Sequence, residues 1–331
     1  MGHEHAHAHD GGRDHGHGHG HGHGHGHGHG HGHGHGHAHV ATGGRAFAIG
    51  TALNLAFVVV EVVYGVLSHS VALVADAAHN FGDVLGLLLA WGATALARRK
   101  PSQRRTYGLK SSTILAALAN ALLLLVAVGG VAWEAVRRFG EPGPVEGRTM
   151  WAVAGVGVLI NTASAALFFR GREHDANVRG AFLHLAADAA VSAGVVLAGV
   201  AISFTGWAWL DPATSLVVSA VILVGTWSLL RDALNLALDA VPAHIDPEAV
   251  RRYLAGLEGV TEVHDLHIWA MSTTEVALTA HLVMACPPNH ATFLCDASNA
   301  LHDKFRIGHS TLQIEPPDAA DACRQASDEV V

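Results

Sequence analysis

Residues 71–97 read VALVADAAHNFGDVLGLLLAWGATALA. The stretch is long and apolar enough to cross a bilayer as a helix, yet it carries Asp76, His79 and Asp83. Steps of three and four residues put these three groups on one helix face. Unpaired ionisable side chains are costly in hydrocarbon, and by default they mark ion or proton pathways. The pattern recurs at 183–188, LHLAAD, where His184 and Asp188 stand four apart in a second apolar segment. Repetition of one polar spacing in two such segments argues for a site.

The surrounding composition agrees. Half of the 331 residues are hydrophobic and only 15% are charged, even with a long polar N-terminus included, which is a membrane composition. Six windows meet the requirement of about 20 apolar residues: 46–67, 71–97, 113–136, 149–170, 180–204 and 211–238. The histidine- and glycine-rich start lacks a basic region followed by a short apolar core, so the first span is expected to act as the insertion signal.

Basic residues in short loops set the expected orientation. Arg98, Arg99, Lys100, Arg104, Arg105 and Lys110 follow the second span, and Arg170, Arg172 and Arg179 follow the fourth, whereas the 1–2 and 5–6 loops carry no Lys or Arg. Both termini are therefore expected in the cytoplasm. Arg137, Arg138 and Arg148 in the 3–4 loop dissent mildly and are read as helix-end residues. Cys286, Cys295 and Cys323 all fall in the cytoplasmic tail with no C-x-x-C pair, so no disulfide framework is indicated.

His79 with Asp83, and His184 with Asp188, each project from one turn of a helix. Facing each other, the two helices supply two imidazole nitrogens and two carboxylate oxygens, a tetrahedral set suited to Zn²⁺. At about 1.5 Å per residue both pairs fall near mid-bilayer. Nitrogen and oxygen donors without thiolate favour reversible binding, and all four must be deprotonated to bind, so metal and proton movements are coupled. A purely structural pair of interhelical hydrogen bonds is the competing reading, but it leaves the repetition unexplained. Asp76 shares the face of His79 and is either a further ligand or part of an exit path. Glu61, Asn54, Asn120 and Asn161 either line a hydrated cavity or join helices by hydrogen bonds. Asp211, before Pro212, is expected to cap the sixth span.

Four regions follow. Residues 1–39 alternate His with Gly over most of their length; they have no apolar content to offset ordering and are expected to be disordered, a low-specificity reservoir for divalent metal. Residues 40–240 form the transmembrane domain, 241–316 a two-layer α+β domain read in the order α-β-β-α-β, and 317–331 a disordered tail. Within the α+β domain, His264, His267, His281, His309 and Glu315 fall on or beside predicted strands and are candidates for a regulatory zinc site. No His-Glu-x-x-His motif occurs, which argues against an intramembrane metalloenzyme and for a non-enzymatic role. A metal-storage or sensing protein built on the His-Gly tail remains an alternative.

The segments SHSVALVADAAHNFGD, YGLKSS, LHLAADAAVSAGVV, WLDPATSLVVSAVIL and GVTEVHDLHIW together resemble the cation diffusion facilitator family of bacterial zinc, cobalt and cadmium exporters. The resemblance covers about 45–316. It implies a six-helix membrane domain, a ferredoxin-like (metallochaperone-like) cytoplasmic domain, a homodimer, an inner-membrane location, and export of cytosolic Zn²⁺ in exchange for protons, with Co²⁺ or Ni²⁺ as alternative cargo. It implies no nucleic-acid partner. Carried over by position, the transport ligands are His79, Asp83, His184 and Asp188. The chain departs from the family's Arg-x-Glu-like sequence before span three, reading Lys110-Ser111-Ser112 instead.

Overall fold

The computed structural model describes residues 44–140, 143–169, 176–285 and 290–317. The 1–39 and 317–331 tails, Cys286 and Cys323 thus lie wholly or almost wholly outside the described residues. Six long helices come first: α1 (Gly44–Leu67), α2 (Val71–Ala97), α3 (Ser112–Gly140), α4 (Gly147–Phe168), α5 (Ala176–Thr205) and α6 (Leu210–Ala237). Five of them are long and apolar enough to cross a membrane, and α1 adds a described apolar stretch, Asn54–Leu67. Their outward faces carry large bare side chains, with Val126 and Val224 each 75% exposed and Phe204 88%. In water that surface would not persist; against lipid it is the expected exterior.

Small residues bring the helices together. Any Cβ on Gly199 in α5 would come within 2.8 Å of the backbone nitrogen of Trp151 in α4, and one on Gly147 within 2.7 Å of the Gly199 carbonyl oxygen. The two backbones therefore touch directly, as glycine allows between helices in lipid. Likewise a Cβ on Gly82 in α2 would meet Leu124 of α3 at 2.0 Å, and one on Gly86 would meet the Asn120 amide at 2.8 Å. A buried core of Ala72, Leu73, Val128, Met150, Val195, Ile202, Val218 and Ile222 closes the end of the bundle where α2 begins.

That end is also held by polar contacts that the sequence alone did not assign. Ser70 caps α2, accepting from the Leu73 amide at 3.1 Å. Asp211 does not cap its own helix, whose N-cap is Trp209 without a side-chain bond. Instead, fully buried in the first turn of α6, it accepts hydrogen bonds from Ser70 and from the backbone amides of Val71 and Ala72. The expected cap of α6 is thus a cap of α2, because α2 presents orphan N–H groups to a neighbouring carboxylate. Helix α3 runs past the expected 136 to Gly140. Its last turn contains Arg138, which bonds Glu134 at 3.0 Å and also donates to the His69 carbonyl in the α1–α2 turn.

The second part comprises α7 (Pro247–Ala255), β1 (Val260–Ala270), β2 (Val276–Met284), α8 (His290–Phe305) and β3 (His309–Glu315). Asp246 caps α7 by accepting from the Glu248 amide, with Pro247 in the first turn. The sheet order is β1-β2-β3; β1 and β2 are antiparallel, β2 and β3 parallel. A parallel pair needs a crossover, and α8 supplies it. Val250, Leu254, Leu278, Leu282, Leu301 and Ile307 form the core between helices and sheet. The β1–β2 hairpin meets the α2–α3 link: Lys110 pairs with Glu275, Ser111 donates to the Met271 carbonyl, and the Thr273 amide donates to Thr113.

Candidate metal centre

Because α2 and α5 are antiparallel neighbours, their two His-x-x-x-Asp pairs interleave. His79 Nε2 lies 3.1 Å from Asp188 Oδ1 across the helix gap and 3.9 Å from Asp83 Oδ2 on its own helix. His184 Nε2 lies 3.2 Å from Asp83 Oδ2 across the gap and 3.5 Å from Asp188 Oδ2 on its own helix. The two imidazoles stand nearly perpendicular, 78° apart, with centroids at 6.2 Å. Donor atoms of His79, Asp83 and Asp188 all fall within 4.8 Å of one another. Each histidine therefore faces both carboxylates, a closed ring of two nitrogen and two oxygen donors. Zinc prefers that number and kind of donor.

The ring is unevenly open. The Asp188 side chain is 7% exposed and that of His184 is 38%. The more open pair, Asp83 with His184, is the one nearer the Ala97 end of α2, the end that leads into the link touching the α+β domain.

Asp76 stands outside the ring. It is buried, and its Oδ2 accepts from Ser192 Oγ of α5 at 2.8 Å. Glu61 of α1 is buried beside it, with its Oε2 accepting from Asn80 Nδ2 at 3.1 Å. Ser192 lies one turn beyond Asp188, and Asn80 directly follows His79, so this second layer is tied to the same helices. From the sequence alone Glu61 is one polar residue among several, since its partner Asn80 lies on another helix.

A second cluster lies on the sheet. His264 Nε2 is 3.2 Å from Glu315 Oε2, and His281 Nδ1 is 3.2 Å from Glu315 Oε1. The antiparallel register sets His264 opposite His281, and their rings meet edge to face at 5.0 Å. All three residues are buried, and their donor atoms fall within 4.8 Å of one another. Among the described residues His281 Nδ1 is buried without a well-aligned hydrogen bond, although the Glu315 carboxylate is near. An orphaned nitrogen among deprotonatable donors fits a bound cation. Asp265, missed in the sequence reading, joins them: its Oδ2 is 3.5 Å from His281 and its Oδ1 is 2.8 Å from His267. Its backbone has a positive φ of 52°, where the β1 register shifts between His264 and His267. That bulge re-aims the side chain, and no periodic pattern reveals it. His267 thus reaches the cluster through Asp265, whereas His309 lies apart, edge-on to Tyr107 at 5.6 Å.

The family model for the cation efflux transmembrane domain matches residues 47–236, and that for the cation efflux protein cytoplasmic domain matches 242–317. The chain belongs to the cation efflux family. It is a multi-pass membrane transporter with a C-terminal α/β domain. The metal cation efflux system protein CzcD of Cupriavidus metallidurans is 38% identical over 283 residues, covering 85% of this chain and 90% of that protein. Its metal-bound C-terminal domain, solved separately, covers 22% of this chain and 99% of that domain at 36% identity, with a TM-score of 0.20. The zinc transporter ZitB of Escherichia coli is 38% identical over 273 residues, 82% of this chain and 87% of ZitB. A cadmium, cobalt and zinc/H⁺-K⁺ antiporter of Bacillus subtilis is 31% identical over 279 residues, 82% of this chain and 88% of that protein. Where the cation efflux resemblance anticipates an Arg-x-Glu-like segment, Lys110 of this chain instead reaches across to Glu275 of the cytoplasmic domain.

Proposed function

We propose that this chain exports a divalent metal cation, Zn²⁺ foremost, in exchange for protons, and that His79, Asp83, His184 and Asp188 hold the cargo in transit. The observation that carries this reading is the interleaving of the two pairs, in which every histidine lies 3.1–3.9 Å from both aspartates. Four donors that must shed protons to bind metal make proton and metal alternative occupants. Because the centre depends on two helices, a relative shift of α2 and α5 disassembles it and releases the ion. The names of ZitB and of the Bacillus antiporter, zinc transport in one and zinc with H⁺ exchange in the other, accord with this cargo and coupling.

The protein works as a homodimer in the inner membrane with both termini cytoplasmic. Residues 40–240 carry transport and 241–316 regulate it. His264, His281 and Glu315, with Asp265 beside them, hold a regulatory zinc ion, which would neutralise the buried carboxylates when bound. The His-Gly segment 1–39 gathers metal near the entry, and 317–331 is a tail. The decisive experiment measures Zn²⁺, Co²⁺, Ni²⁺, Cd²⁺ and Mn²⁺ flux into inverted vesicles under an imposed pH gradient. Zinc uptake that is driven by the gradient and lost in Asp188→Ala is expected; zinc flux indifferent to a protonophore overturns the exchange, and normal flux in Asp188→Ala overturns the site.

A further inference from the structure

Glu61 and Asp76 are 0% and 1% exposed, in helices that face lipid on their other sides. Each has one oxygen supplied with a donor: Asn80 Nδ2 to Glu61 Oε2 at 3.1 Å, and Ser192 Oγ to Asp76 Oδ2 at 2.8 Å. The other oxygen of each, Glu61 Oε1 and Asp76 Oδ1, is buried with no hydrogen-bond donor among the described residues. Glu61 bonds Asn80, which stands one turn beyond Asp76 on α2, so the two buried carboxyl groups lie side by side where α1 packs on α2. Among the described residues, the other titratable groups nearest the pair are His79, next to Asn80 on α2, and Asp188, one turn from Ser192 on α5; no described Lys or Arg forms an ion pair with either residue, and the buried polar side chain described on α4, which also packs on α1, is Asn161.

Two ionised carboxylates side by side, out of water and without a cation, repel strongly. One proton removes a charge and gives both orphan oxygens a partner, as an O–H of Glu61 donating to Asp76. We infer that Glu61 is a proton-carrying residue of the transport cycle, holding a counter-proton against Asp76 one helical turn from the metal centre.

This inference rests on the exchange reading above and adds a residue to it that binds no metal. The bookkeeping of charge is simple: with its proton the pair carries one negative charge, and without it two. A divalent cation arriving among His79, Asp83, His184 and Asp188 favours the doubly charged pair and so expels the proton; departure of the cation favours its return. The proton accepted after the metal leaves on one side is given up when the next metal binds from the other. Coupling then runs through the field and through Asn80 and Ser192, which belong to the helices that carry the metal donors.

Glu61→Gln tests this with little disturbance of packing, because an amide can donate to Asp76 and accept from Asn80 as the protonated acid does. The full-length protein is reconstituted in liposomes with an entrapped pH dye and a zinc indicator. In Glu61→Gln, zinc binding at fixed pH is expected to stay within about threefold, while the protons moved per zinc fall and the pH dependence of the rate flattens. Glu61→Asp should keep part of both. If the unmodified protein moves zinc with no proton counterflow, the exchange reading itself fails. If it moves protons and Glu61→Gln shows an unchanged proton-to-zinc ratio and pH profile, the role of Glu61 alone fails. Infrared spectroscopy in H₂O and D₂O gives an independent readout: a buried protonated-carboxyl band at neutral pH, lost in Glu61→Gln. Absence of that band from the unmodified protein overturns the inference whether or not the variant folds.

Discussion

Ser70 Oγ donates to Asp211 Oδ1 at 2.5 Å, joining the N-terminus of α2 to the first turn of α6 across 141 residues of sequence. The same carboxylate takes the Val71 amide at 2.8 Å and the Ala72 amide at 3.2 Å. Helix α2 therefore begins against a carboxyl group whose oxygens satisfy its orphan N–H groups.

Replacing Asp211 by Asn puts an amide among donors and leaves buried N–H groups unsatisfied. The expected loss is about 1–3 kcal/mol, read as a lower unfolding temperature of the detergent-solubilised protein. A transition unchanged from the unmodified protein would show that the contact contributes nothing.

How much of this was legible in sequence depended on distance along the chain. The six apolar windows, the His79/Asp83 and His184/Asp188 pairs, and the α-β-β-α-β order all follow from local spacing, and the helices and strands lie where that spacing put them. Asp211 reads as the cap of its own helix because capping is a local signal, while its partners are Ser70, Val71 and Ala72 at the start of α2. Asp265 reaches His281 only because β1 bulges, and Glu61 comes to lie beside Asp76 and Asn80 only because α1 packs on α2. Lys110, in the segment where the chain departs from the family's Arg-x-Glu-like sequence, finds Glu275 by a contact that joins two domains.

Gly82→Ala is expected to loosen α2 from α3, since its new methyl would sit 2.0 Å from a Leu124 methyl. Overpacking of this kind costs about 1–3 kcal/mol. Pairing it with Leu124→Ala should recover part of the loss, a coupling that a double-mutant cycle detects. Strict additivity of the two changes would refute the clash.

At His79, exchange for Asp substitutes a carboxylate, able to bind through one or two oxygens, for a single directed nitrogen. The variant is expected to keep some zinc flux and to gain cadmium flux, because a larger ion tolerates more oxygen donors. An unaltered cadmium-to-zinc ratio in vesicles would show that His79 does not set selectivity.

Zinc held by His264, His281 and Glu315 should raise the unfolding temperature of the full-length Asp188→Ala protein, by the equivalent of about 2.7 kcal/mol at a hundredfold excess over its dissociation constant. Adding His281→Ala should abolish that rise. Persistence of the full rise in the double variant would exclude this cluster as its source.

The Lys110–Glu275 pair is partly exposed on both sides, so Lys110→Ala should shift stability by about 1 kcal/mol or less. The hairpin keeps its contacts through Ser111 and Thr113. A large drop in unfolding temperature would mean that this ion pair carries the junction.

The crosswise arrangement of the centre makes it a gauge of helix register. His79 has its shorter contact with Asp188, and His184 with Asp83, so each donor leans on the opposite helix more than on its own. Sliding α5 past α2 by one turn, about 5.4 Å, would leave each helix with an intact His-x-x-x-Asp pair and no partner pair opposite. The proposed centre is thus written into alignment rather than into either segment, and a cross-link that pins α2 to α5 in register is expected to slow release of the ion.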